Sequence, residues 1–157
     1  MVSAADVLDA ARVRGVMIAT AESCTGGMVI AALTDVPGSS AVVDCGFVTY
    51  SNAAKASMLG VQAETLARYG AVSEQVAREM ARGALSRSTA GLAVAITGIA
   101  GPGGSEHKPE GRVCFAVALR DGDVSSQTRD FGAPGRDRVR ALSRDHALTL
   151  LLDALSP

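Results

Sequence analysis

The chain has 157 residues, a formal net charge of −1, 48% hydrophobic residues and only 3% aromatic ones. That length fits one domain, residues 1–157, with a real core, and the charge balance argues against nucleic acid or an anionic membrane as partner. Cys24, Cys45 and Cys114 are odd in number with no C-x-x-C pair, and His107 and His146 have no ligand spacing, so neither a disulfide framework nor a metal site is expected.

Ser3 to Arg14 reads as an amphipathic helix. Ser3 and Asp6 make a capping box with Asp in the Glu position, Ala4, Val7, Leu8 and Ala11 form the apolar stripe, and Gly15 is the stop. Val16 to Ala19 is a short buried strand. Thr20 to Gly27 follows as a tight turn of small polar residues, and Met28 to Leu33 is a buried helix. Ser23 and Thr25 are both good N-caps, and Gly26 and Gly27 allow close approach to a ligand. Strand, turn and helix start together can hold an anion on unpaired N–H groups; the plain alternative is a well-capped helix after a strand.

Residues 35–40 are a turn cluster, and Val42 to Tyr50 is the second strand. Ser51 or Asn52 caps a short helix to about Met58, which Gly60 ends. Glu64 to Tyr69 adds one or two helical turns. Ser73 opens a longer helix whose buried face carries Val76, Ala77, Met80, Ala81, Ala84 and Leu85. Leu92 to Thr97 is an unbroken apolar run and therefore a central strand. The loop 98–111 is long enough to be functional or mobile. Val113 to Leu119 and Val124 to Phe131 flank the turn Asp121-Gly122-Asp123 as an antiparallel hairpin. A last helix runs from Arg136 to about Leu155.

These elements predict an α/β fold: a three-layer α/β/α domain with a mixed sheet of about five strands, parallel crossovers first and an antiparallel pair last. Ligands of such sheets sit beyond the carboxyl ends of the strands. Ser23, Tyr50 and Thr97 follow three neighbouring strands and should meet there.

A serine nucleophile needs a base. His146 shares a helical stripe with Val139, Leu142 and Leu150, which reads as core, and His107 has no acid placed to orient it. Lysine is the stronger candidate. Of 15 basic residues thirteen are Arg, which keeps its proton; the two lysines, Lys55 and Lys108, lie in regions that converge on the strand ends. As a base Lys55 needs its pKa drawn well below the usual lysine value, by burial beside a cation such as Arg136. Codon bias toward Arg is the plain alternative. Cys24 is the rival nucleophile. Glu22 and Asp44 make no defensible acid pair, and no nucleotide-cofactor glycine motif occurs.

Three stretches together resemble one family: Ala21-Glu22-Ser23-Cys24-Thr25-Gly26-Gly27, residues 46–55 from Gly46 through Tyr50 to Lys55, and Ile96-Thr97-Gly98-Ile99-Ala100-Gly101-Pro102 with Lys108-Pro109 and Gly111. The chain resembles the C-terminal domain of the competence/damage-inducible CinA proteins, whose stand-alone members are nicotinamide-nucleotide amidohydrolases. The resemblance implies deamidation of nicotinamide mononucleotide to nicotinic acid mononucleotide and ammonia, in pyridine-nucleotide recycling, without metal or cofactor. It implies Ser23 as nucleophile, Lys55 as its base and Tyr50 assisting, with Thr25, Gly26, Thr97, Gly98 and Arg136 around the substrate. The odd, unpaired cysteines fit a reducing cytosol, the near-neutral charge argues against nucleic acid, no apolar run is long enough to span a membrane, and the family tends to assemble, so a cytoplasmic homo-oligomer is expected. Two departures fall in the 101–111 loop: a glycine run one residue shorter, and Glu110 where an apolar residue is common. The pyrophosphatase domain of larger members has no counterpart, so a stand-alone form or an excised domain is expected. The competing function is a non-catalytic module of the same fold that binds a nucleotide phosphate and regulates a partner.

Overall fold

The computed structural model describes residues 1–157. Six helices, α1 (Ala4–Arg14), α2 (Met28–Thr34), α3 (Asn52–Leu59), α4 (Ala63–Tyr69), α5 (Glu74–Ser86) and α6 (Arg136–Leu155), surround five strands, β1 (Ile18–Glu22), β2 (Val43–Val48), β3 (Leu92–Gly98), β4 (Arg112–Leu119) and β5 (Val124–Asp130). The sheet order is β2-β1-β3-β4-β5. β1 runs parallel to β2 and β3, whereas β4 is antiparallel to both β3 and β5. The expected mixed sheet and closing hairpin are thus present, and β3 lies at the centre.

The two faces of the sheet differ in side-chain size, and the alternation of β3 and β4 sets this. Leu92, Val94 and Ile96 with Val113, Phe115 and Val117 face one way, into a cluster with Val7 and Leu8 of α1, Val29 and Leu33 of α2, and Leu148 and Leu151 of α6. Ala93 and Ala95 with Cys114, Ala116 and Ala118 face the other way, onto Val76, Ala77, Met80 and Ala84 of α5. Period-two alternation sends successive side chains to opposite faces. The bulky face takes three helices; the alanine face lets α5 lie close. This explains how a core can form with so few aromatic rings.

The caps of α1, α3 and α5 stand where the sequence places them. Ser3 and Asp6 form the capping box of α1, and Gly15 closes that helix in the left-handed conformation. Ser51 and Ser73 cap α3 and α5 through their hydroxyls. The first strand differs from expectation. It begins at Ile18 and continues through Thr20, Ala21 and Glu22, residues expected to form a turn. β2 and β3 pair with it on both edges along that whole length, and two-sided pairing outweighs the polar character of Thr20 and Glu22. β2 is also shorter than expected, ending at Val48, so Tyr50 stands in the connection to α3.

The chain leaves β1 outward to β2 through α2 and returns to β3, on the other side of β1, through α3, α4 and α5. Strand order therefore reverses between β1 and β3, which opens a crevice at their carboxyl ends. Ser23 and Thr97 stand at that crevice.

Candidate active site

Ser23 is the first residue beyond β1. Its N–H donates to the Ile96 carbonyl at 2.9 Å, which ties it to β3. Lys55 lies in the first turns of α3. Helical side chains lean toward the N-terminus of their helix, and Lys55 follows that lean back to the segment before α3. Its Nζ donates to Ser23 Oγ at 2.9 Å, to the Thr49 carbonyl at 3.0 Å and to the Tyr50 carbonyl at 3.3 Å. Lys55 is only 1% exposed.

The three contacts match the three protons of an ammonium. A neutral amine would keep the two carbonyl bonds and turn its lone pair to the Ser23 hydroxyl. The 2.9 Å contact is therefore where a proton can pass. Burial pushes the Lys55 pKa below the ordinary lysine value, while the Glu106 carboxylate pulls against it. The expected depression is present in direction, but Arg136 is not its cause.

Arg136 opens α6 and lies across the mouth of the site. It donates to the Gly101 carbonyl through Nη1 at 2.6 Å and to Tyr50 Oη through Nη2 at 2.7 Å. Tyr50 thus contributes two separate groups: its carbonyl holds Nζ of Lys55, and its phenol, 61% exposed as a residue, anchors Arg136. Ser23, Cys24, Tyr50, Lys55, Thr97, Gly98 and Arg136 line one pocket of about 340 Å³ with the 99–106 loop. Thr97 is fixed at its wall by a bond from Oγ1 to the Ala71 carbonyl, 2.9 Å.

Thr25 and Gly26 do not line this pocket. Thr25 Oγ1 donates inward to Glu22 Oε1 at 2.6 Å, and Gly26 faces Arg140. Lys108 is not in the pocket either; its ammonium donates to the Tyr69 and Val72 carbonyls and clasps the loop to that segment. His146 is half-buried and packs edge-on to Phe115, with Nε2 2.8 Å from Gln127 Oε1, in a packing rather than a catalytic role. His107 is exposed and outside the pocket. Burial pushes the Cys24 thiol up to about 12, so it stays protonated near neutral pH and is a poor nucleophile.

The N-terminus of α2 is already occupied by an anion of the protein itself. Neither Ser23 nor Thr25 caps α2; Gly27 stands at the cap without a side-chain bond. Glu22, fully buried, does the capping from the strand end. Its Oε1 accepts from Thr25 Oγ1, Gly27 N and Val29 N, and its Oε2 accepts from Ile30 N at 3.0 Å. Within the turn, Ser23 N and Gly26 N are spent on the Ile96 and Ser23 carbonyls. The N–H groups of Cys24 and Thr25 have no partner in the protein. Thr25 is fully buried and off the pocket, whereas Cys24 lines it beside Ser23, where a backbone donor can receive an oxyanion.

Sequence reasoning missed the role of Glu22, which was readable only as an acid near a loop. Its signal is a carboxylate at a strand end, a few residues before a helix with no capping side chain. Glu110 has a comparable role: its Oε1 accepts from Gly103 N at 2.7 Å and holds the glycine loop over the pocket. No three His, Cys, Asp or Glu side chains gather where they could hold a metal ion.

Residues 2–155 match the family model described as the CinA C-terminal domain. The nicotinamide-nucleotide amidohydrolase PncC of Escherichia coli K12 is 53% identical over 143 residues, covering 90% of this chain and 86% of that protein. A CinA-like protein of Mycolicibacterium gilvum is 56% identical over 149 residues, covering 94% of this chain but 35% of its own length. The chain thus spans about a third of that longer relative. Among solved structures, the competence/damage inducible protein CihA from Agrobacterium tumefaciens superposes with a TM-score of 0.87 at 51% identity, covering 96% of this chain and 95% of that one. A CinA superfamily protein from Klebsiella pneumoniae does so with a TM-score of 0.92 at 40% identity, covering 97% and 94%.

Proposed function

Because the chain belongs to the CinA C-terminal domain family, we propose that it is an amidohydrolase converting nicotinamide mononucleotide to nicotinic acid mononucleotide and ammonia. The observation that carries this reading is the buried 2.9 Å contact between Lys55 Nζ and Ser23 Oγ. A protein that only bound the nucleotide would have no need to bury a lysine against a serine.

Ser23 Oγ attacks the carboxamide carbon, and neutral Lys55 takes the hydroxyl proton. The carbonyl oxygen becomes an oxyanion facing the Cys24 N–H group. When the C–N bond breaks, Lys55 passes its proton to the leaving nitrogen and ammonia departs. Water then attacks the ester carbon, again giving its proton to Lys55. The ester C–O bond breaks, and the proton returns to Ser23. Tyr50 assists by holding Lys55 through its carbonyl and Arg136 through its phenol. Arg136, with the exposed start of α6, offers the cation that a substrate phosphate requires. Thr97 and Gly98 shape the wall. Thr25 and Gly26 shape the turn behind Ser23 rather than the pocket itself.

The 157 residues act as one domain in this reading, in the cytoplasm and as a homo-oligomer, with a small-molecule partner and no nucleic acid. No helix is long and apolar enough to cross a membrane. Hydroxylamine partitioning tests the covalent route. Added hydroxylamine should divert product to the hydroxamate without changing the rate of ammonia release, if deacylation follows a slower acylation. Failure to form any hydroxamate at hydroxylamine concentrations that leave the enzyme active would refute an acyl-Ser23 intermediate.

A further inference from the structure

One charged side chain of the pocket is left without a partner. Glu106 is exposed and lines the pocket with Ser23, Lys55 and Arg136. It is the only carboxylate there, and the only basic groups are Lys55 and Arg136. Its oxygens enter no ion pair. The donors nearest to it in the chain are spent elsewhere: Gly103 N on Glu110, and Lys108 Nζ on the Tyr69 and Val72 carbonyls.

The backbone that presents this carboxylate is unusual. Ser105 and Lys108 exchange both backbone hydrogen bonds, at 3.1 and 2.8 Å, and close a tight turn over Glu106 and His107. Both central residues are left-handed, with φ +53° and +63°. Such turns normally carry Asn and Gly, and a longer side chain in that conformation is strained. Strain held in place by the surrounding structure clusters at ligand sites. The Lys108 clasp holds the turn here. Across from it stands Gly70, where a Cβ would fall on the Glu106 carboxylate, Oε2 nearest. The carboxylate thus occupies room that only a glycine leaves. Its charge is felt inside the pocket, where it opposes the effect of burial on the Lys55 pKa.

The two ends of the pocket therefore differ in sign. Arg136 is anchored on the Gly101 carbonyl and the Tyr50 phenol, and Glu106 stands by Gly70. Nicotinamide mononucleotide has the matching charges: a negative phosphate, and a ring nitrogen that, bonded to ribose, makes the carboxamide-bearing ring a pyridinium cation. Without Glu106 that cation would meet only basic side chains. Free nicotinamide and the reduced dihydropyridine nucleotide carry the same carboxamide on a neutral ring. We propose that Glu106 is a specificity-determining residue, selecting the cationic pyridinium ring of an oxidised nicotinamide nucleotide over carboxamides on neutral rings. This rests on the reading of nicotinamide mononucleotide as the substrate. The ring keeps its charge from ground state to transition state, so Glu106 acts on binding.

The test measures Kd by calorimetry for nicotinamide mononucleotide and for its reduced form, which share ribose, phosphate and carboxamide and differ in ring charge. The proteins are Ser23→Ala, which does not consume the amide, and the double variant Ser23→Ala with Glu106→Gln. Glutamine keeps the size and one acceptor oxygen and removes the charge. The oxidised nucleotide should bind about 3–20-fold more weakly to the double variant, the scale of one charge contact in a pocket open to water. The reduced nucleotide should change by less than about twofold, so the preference between them falls. With Ser23 intact, and at a pH above the Lys55 titration, the loss in Glu106→Gln should appear in KM rather than kcat.

The same preference for the oxidised form in both proteins would overturn the proposal. So would an equal loss for the two nucleotides, which would put Glu106 on their shared parts, or a folded Ser23→Ala protein that binds neither. A preference that disappears with the charge, while wild type releases no ammonia from nicotinamide mononucleotide, would sink the substrate reading and keep Glu106 as the group that senses ring charge.

Discussion

Replacing Glu22 by Gln exchanges one carboxylate oxygen for an NH2 group in a site built only of donors. Glu22 is fully buried and accepts from Thr25 Oγ1, Gly27 N and Val29 N on one oxygen and from Ile30 N on the other. The better orientation of a glutamine keeps its oxygen on the three-donor side. Its NH2 then faces the Ile30 N–H, and both are left buried without an acceptor, at about 1–3 kcal/mol each. The remaining three bonds lose their charge assistance, worth together about another 1–2 kcal/mol. The opposite flip is worse, since it sets an NH2 against three donors. A loss of about 3–8 kcal/mol follows, a large part of the ~5–15 kcal/mol that holds a typical domain. Calorimetry should show Tm lowered by about 6–30 °C, at ~2–4 °C per kcal/mol for a chain of this size. Urea unfolding should show the same loss with an unchanged m-value. A double-mutant cycle with Thr25→Val should give a coupling above about 0.5 kcal/mol, because the two side chains share a bond. A Glu22→Gln variant within about 1 kcal/mol of wild type would refute the claim that this carboxylate holds the turn.

Further expectations concern pH and packing. Activity requires neutral Lys55, whose pKa is lowered by burial, so kcat should fall as pH drops through that lowered value; a profile flat across the lysine's titration would contradict the base assignment. The same group binds protons more readily unfolded, near 10.5, than folded. Stability contributed through Lys55 should therefore rise with pH between the folded value and 10.5, and Lys55→Met should remove that slope in urea titrations. Thr20 Oγ1 is buried without a partner, so the isosteric Thr20→Val should be neutral or stabilising by about 1 kcal/mol; a clear loss in unfolding measurements would reveal an unseen partner. Gly83→Ala should destabilise α5 although alanine is the better helix former by ~1 kcal/mol. Its Cβ would clash with the Leu59 carbonyl oxygen, and overpacking costs about 1–3 kcal/mol; an unchanged Tm would show that α3 and α5 separate freely.

Local signals were legible in the sequence. The Ser3–Asp6 box and the α5 stripe each depend on residues within one element, and the structure reproduces them. The meeting of Ser23, Tyr50, Thr97, Lys55 and Arg136 followed from strand order and from the family resemblance. What the sequence concealed depends on partners far along the chain. β1 extends to Glu22 because β2 and β3 flank it, and Arg140 grips carbonyls 115 and 116 residues away. Lys108 looked equivalent to Lys55 by residue type, yet its ammonium is consumed by two carbonyls of the 69–72 segment. Thr25 looked like a ligand group, but a buried carboxylate three residues earlier claims its hydroxyl.

The central claim is that Ser23 and Lys55 act together on the carboxamide. The direct measurement is ammonia release from nicotinamide mononucleotide in the presence of EDTA by wild type, Ser23→Ala, Lys55→Met and Cys24→Ser. The account predicts release by wild type and Cys24→Ser, and a loss of about 10³-fold or more in Ser23→Ala and Lys55→Met. Release that survives Ser23→Ala and vanishes in Cys24→Ser would contradict it in favour of a thiol enzyme. Binding of the nucleotide by folded wild type without any release would move the assignment to the non-catalytic module.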